Sequence, residues 1–150
     1  MGLVPTFSQA EIRKRIDNAI AVIERKQIER MQELGERCAI IAKEIPASSG
    51  YTDQTKNLRS STGYMVFKDG VAVHEGYKGE AEGIAAGKAL AEKVGYKHNK
   101  GVALVVTAGM NYAVHLETMG RDVLTSAEIF AKQEMPKVIE RLKNNIKNAI

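Results

Sequence analysis

Three histidines, one cysteine and one Gly-Lys pair are the residues of this chain whose types most readily do chemistry. His74, His98 and His115 lack the one-turn spacing with which a His-Glu-x-x-His helix brings two imidazoles onto one metal ion. His74-Glu75 follows a strand pattern with no second ligand nearby, and His115 with Glu117 fits a surface pair on one strand face. Cys38 stands in register with apolar neighbours on a helical pattern, which marks a buried thiol rather than a nucleophile. A single cysteine also excludes an internal disulfide framework and a Cys-rich zinc site. Gly87-Lys88-Ala89 has the ending of a phosphate-binding loop, but Glu82 replaces its first glycine and Ala89 its Ser or Thr. No Gly-x-Ser-x-Gly elbow occurs, and no carboxylate pair stands out among the many helix-surface glutamates. The residues therefore predict no catalytic activity, no cofactor and no metal.

Arg59 and Glu117 are the remaining groups with chemical reach. An arginine at a loop mouth can pair with a carboxylate such as Glu117, on its own chain or a neighbour's. It can equally stand at a strand edge in water, where an ion pair contributes little. Tyr112 reads as an amphipathic residue at the core edge rather than as a ligand platform.

The elements that must position these groups are arranged around residues 51–64, a polar stretch with one apolar anchor, Leu58, beside Arg59. Before it, Ser8 and Glu11 form a capping box with Phe7 and Ile12 at the staple positions, so a helix starts there. Ile12, Ile16, Ile20 and Ile23 follow at helical steps, and Met31, Leu34, Cys38, Ile41 and Ile45 continue the stripe. Over residues 8–45 such a helix is about 50–55 Å long, more than a small domain spans. Either it bends near Glu24–Ile28 and stays within its own domain, or one end projects and packs on another subunit; the second is the favoured expectation, since an apolar stripe in water is a liability. Pro46 stops the helix.

After the polar stretch, residues 59–68 read as a strand, and Asp69-Gly70 between apolar runs reads as a hairpin turn. Residues 76–95 carry Gly79, Gly83 and Gly87 at every fourth position, a smooth helical face open to a partner's backbone. Residues 101–107 are a buried strand, and residues 112–117 a further strand or a short helical turn. Leu124, Thr125, Glu128 and Ile129 repeat the capping pattern before a last helix that Pro136 should kink or break. The prediction is one α+β domain over 1–150, with residues 1–7 loosely held. It has a long N-terminal helix, a small mainly antiparallel sheet, a central Gly/Ala-rich helix and a C-terminal helix packed on the sheet.

Hydrophobic residues make up 44% and charged residues 27%, as in globular proteins. No stretch is apolar and long enough to cross a membrane. The formal charge of +4 admits a polyanion partner, yet Lys and Arg mostly alternate with Glu. A small basic nucleic-acid-binding module using Lys137, Arg141, Lys143 and Lys147 of the last helix is thus the alternative reading.

The order of elements and three short phrases resemble the tail-completion, or head–tail joining, family of long-tailed bacteriophages. Tyr51-Thr52-Asp53-Gln54-Thr55-Lys56-Asn57-Leu58-Arg59-Ser60-Ser61 is similar to the family's Thr-Gly-Asn-Leu-Arg-x-Ser phrase, with Lys56 in place of glycine. Tyr112-Ala113-Val114-His115-Leu116-Glu117 is similar to Tyr-Ala-x-x-Val-Glu, and Leu124-Thr125-Ser126-Ala127 to the phrase opening the last helix. The resemblance implies a non-enzymatic virion protein of the neck, formed in the host cytoplasm. It would assemble as a homo-oligomeric ring with connector and tail-tube proteins and contact DNA in the channel non-specifically. Leu58, Arg59, Tyr112 and Glu117 would fix the loop against the sheet. Ile16, Ile20, Ile23, Gly79, Gly83 and Gly87 would face partners. Arg59→Glu is then expected to impair head–tail joining without unfolding the domain.

Overall fold

A computed structural model describes residues 2–4 and 6–149, Ala149 by its backbone alone. Met1 and Pro5, within the stretch expected to be loosely held, lie outside the described residues. Helix α1 (Gln9–Lys43) starts as its sequence requires. The Ser8 hydroxyl accepts from the Glu11 amide at 3.2 Å, and the Glu11 carboxylate accepts from the Ser8 amide at 3.0 Å. Two amides that a helix start leaves unpaired are thereby satisfied. The 35 residues form a rod of about 52 Å.

The polar stretch that follows is not all loop. Asn57–Ser61 forms a short helix, α2, so β1 (Thr62–Lys68) begins at Thr62 rather than at Arg59. Lys56 precedes α2 with a left-handed φ of 60°. The turn therefore takes the backbone shape that glycine favours, at a cost to a lysine of about 1–2 kcal/mol.

Strand β1 pairs antiparallel with β2 (Val71–Gly76) on one side and β3 (Val102–Ala108) on the other. Asp69 (φ 51°) and Gly70 (φ 82°) make the hairpin turn, and the Asp69 carboxylate accepts from the Gly101 amide at 2.8 Å. Alternation along β1 turns Tyr64 and Val66 toward Ile28, Met31 and Ala39 of α1. It turns Met65 and Phe67 toward Ala91 of α3 (Ala81–Gly95) on the opposite face. Residues 112–117 resolve into a helix, α4 (Ala113–Thr118). Helix α5 (Thr125–Ala149) packs Ala127 against Leu34, Cys38 and Ala42 of α1. Pro136 does not break it: Pro136 and Lys132, whose carbonyl loses its amide partner, are both exposed to water. The α+β architecture is the expected one, built as helices on both faces of a three-stranded sheet.

The glycine face of α3 is filled from within. A Cβ on Gly83 would overlap the Asn57 carbonyl oxygen, and one on Gly87 the Ser61 carbonyl oxygen. Gly79 lies before α3 with φ 128°, and a Cβ there would overlap Ser60. These three glycines thus accommodate α2 of their own chain rather than a partner. Gly87→Ala gains up to about 1 kcal/mol in helix propensity, but overpacking against a backbone oxygen costs about 1–3 kcal/mol. A net loss of stability of up to about 2 kcal/mol is expected in urea unfolding; a raised midpoint would show that α2 does not sit on this face.

Candidate functional site

The three phrases singled out in the sequence meet at one place. Tyr51 and Leu58 come from the first, Ala113 and Leu116 from the second, and Leu124 from the third, with Val123 just before it. They pack together with Ala108 at the end of β3, and Leu58 is completely buried at the centre. Serine and threonine side chains seal the junction. The Ser61 and Thr62 hydroxyls donate to the Leu58 carbonyl at 2.7 and 3.0 Å, and Ser61 Oγ accepts from the Gly109 amide at 3.0 Å. Ser60 Oγ donates to the Lys56 carbonyl at 2.6 Å and accepts from the Glu80 amide at 2.8 Å, joining α2 to the start of α3.

Arg59 and Glu117 are both placed by this junction, but they do not pair. The Arg59 guanidinium lies 5.2 Å from the Tyr51 ring centroid and donates to the Ile45 carbonyl at 3.1 Å. Its backbone amide donates to the Asp53 carboxylate at 2.8 Å. Arg59 therefore ties the end of α1 to α2. Arg59→Glu keeps the backbone bond to Asp53 but removes the donor to the Ile45 carbonyl and the cation over Tyr51, and is expected to lower stability.

Glu117 has a different task. One carboxylate oxygen accepts from the amides of Val123, Leu124 and Thr125 at 3.0, 2.6 and 3.2 Å, and the other from the Thr125 hydroxyl at 2.8 Å. The capping box expected from Thr125 and Glu128 is displaced by this non-local carboxylate, and Glu128 instead pairs with Lys132 at 2.8 Å. Asp122 supports the same helix start by accepting from the Ser126 amide at 3.2 Å and from its hydroxyl. Burial pushes the Glu117 carboxyl up, but the hydrogen bonds from Leu124, Thr125 and Val123 outweigh it and hold the group below the usual carboxylate range. Tyr112, the N-cap of α4, is 40% exposed and lies at the rim.

The other chemically capable groups are dispersed. Cys38 is fully buried, its thiol 3.8 Å from the Ala127 carbonyl, and burial pushes its pKa up. His74 stacks at 5.9 Å on Tyr64, whose hydroxyl donates to Glu36 at 3.1 Å. His115 and Glu117 lie on a helix, where residues two apart do not face each other. Among the described residues no cluster of His, Cys, Asp and Glu could hold a metal ion. A cleft of about 690 Å³ between α1, α5 and β3 is lined largely by apolar groups, among them Met31, Leu34, Leu104 and Met135. Tyr77 escaped the sequence reading. Its hydroxyl bonds Thr107 at 2.7 Å and donates to the Gly87 carbonyl at 3.3 Å, and burial pushes its pKa up to about 12.

The first part of α1 is exposed along its apolar stripe. Ile12, Ile16 and Ile20 are 41%, 53% and 48% exposed, whereas Ile23 is half-buried. The helix gains cover from Ile28 onward, and the Lys68–Glu24 ion pair at 2.5 Å marks where the sheet begins to hold it. Residues 9–20 thus form an arm of about 18 Å. Among the described residues no helix is long and apolar enough to cross a membrane.

No protein-family model matches this chain, and no curated protein or solved structure is significantly similar to it.

Glu117 makes a pH-dependent contribution whose sign is fixed by its lowered pKa. Its stabilisation is present above the unfolded-state value of about 4.3 and is lost as pH falls through the lower folded value. Glu117→Ala is expected to lose about 0.5–2 kcal/mol near neutral pH, with the gap to wild type closing in acid. A gap independent of pH would show that the carboxylate does not cap α5.

Proposed function

We propose that this chain is a structural subunit of a tailed bacteriophage. It completes the tail or joins it to the head by assembling with copies of itself and with neck proteins, as a ring around the DNA channel. Its place is the virion, reached by assembly in the bacterial host cytoplasm. The observation that carries this reading is the arm at residues 9–20, an amphipathic helix end with an apolar stripe that its own domain leaves uncovered. A monomer gains nothing from exposing Ile12, Ile16 and Ile20 in register; a subunit that lays the stripe on its neighbour buries it. Further support comes from the convergence of the three family-like phrases on the Leu58 junction, which gives each of them a common structural reason.

Ile16→Glu combined with Ile20→Glu tests the reading, because both residues are exposed and stability should change by no more than about 0.5 kcal/mol for each substitution. In the phage that encodes the chain, the double variant is expected to yield full heads and separate tails under the electron microscope. Normal particles from a correctly folded variant would remove the arm, and with it this reading.

A further inference from the structure

A second feature lies away from the arm, where the end of α1 meets the turn before α3. Lys43 in the last turn of α1, Lys56 before α2, Arg59 and Ser60 on α2, and Lys78 after β2 line a recess of about 350 Å³, together with Asp53. Four cations thus face one carboxylate, and an oxygen of that carboxylate already accepts from the Arg59 amide at 2.8 Å. None of the four cations has an ion-pair partner among the described residues. The Lys43 ammonium is drawn against the Lys78 backbone, donating to its carbonyl at 3.4 Å. Burial, followed by the charge of Lys78, pulls the Lys43 pKa down. The Arg59 Nε is buried with no hydrogen-bond partner. Cations that outnumber their counter-charge four to one destabilise one another, and a further anion in their midst offsets that repulsion.

We propose that this recess binds a phosphate group. Three ammonium groups carried on separate segments, each with three rotatable donors, suit a tetrahedral oxyanion better than a planar carboxylate, which arginine forks match. Phosphate presents oxygens in every direction, and lysine binds it as a point charge. The group is either free phosphate or a phosphodiester of a nucleic-acid backbone. The site shares no residue with the arm, so each stands or falls without the other.

The test is calorimetric titration of the full chain with inorganic phosphate at low ionic strength, beside Lys56→Gln and Lys78→Gln. Both lysines are exposed, and thermal unfolding monitors that the variants remain folded. Saturable binding is expected, weakened about tenfold by each substitution, and not reproduced by chloride at equal ionic strength. A short DNA duplex that competes with phosphate, and loses affinity in Lys78→Gln, assigns the group to a nucleic-acid backbone. A duplex that fails to compete assigns it to free phosphate. Absence of saturable phosphate binding, equal affinity in wild type and both variants, or displacement of bound phosphate by chloride at equal ionic strength would overturn the proposal. So would binding of an acidic peptide at the recess where phosphate does not bind.

Discussion

Strand β1 is buried on both faces, from Thr62 through Phe67, and that constraint shapes the rest of the molecule. A three-stranded sheet has too little area to shelter itself, so a helix must lie on each side. On one side α1 supplies Ala39 and Met31 against Tyr64 and Val66; on the other α3 supplies Ala91 against Met65 and Phe67. The second helix must also admit α2 against its flank. Backbone oxygens of Asn57 and Ser61 come so near that only glycine fits at positions 83 and 87. The smooth face is thus committed inside the chain. What remains uncommitted is length: the sheet holds α1 from about Glu24 onward, and residues 9–20 extend beyond it.

Polar chemistry in the loop regions is directed inward. Arg59, Asp53, Ser60, Ser61 and Glu117 satisfy backbone groups that helix starts and turns leave unpaired. Buried backbone groups must find partners, and side-chain oxygens supply them where neither helix nor ladder can. The wording of these segments is therefore a requirement of the fold. Outside that set lie the exposed isoleucines of the arm and Lys43, Lys56 and Lys78 of the recess, lysines with no ion-pair partner among the described residues.

Much of this architecture was legible from local signals. Ser8 with Glu11 fixed the start of α1, and Asp69-Gly70 fixed the hairpin, because each device acts within a few residues. Helix α2 was not legible. It is only five residues long, begins from a left-handed lysine, and is held by Leu58 burial and the Asp53 bond rather than by propensity. Thr125 and Glu128 misled for a related reason: Glu117, reaching from the preceding helix, reached the amides first. The glycine period correctly announced close backbone approach, but the pattern cannot say whose backbone arrives. The cationic recess was invisible in the sequence because Lys43, Lys56 and Lys78 are brought together only by the turn from α1 to α2 and the return of β2.

In the proposed assembly the first part of α1 is covered by another molecule. A helix end of a dozen residues without tertiary contacts is marginal in water, so its amides should open readily in the free chain. Hydrogen exchange of residues 9–20, measured in the free protein and in the assembled particle, reads this directly. Fast exchange when free and strong protection on assembly is the predicted result. Protection in the free monomer equal to that of residues 34–42, or no change on assembly, would contradict it.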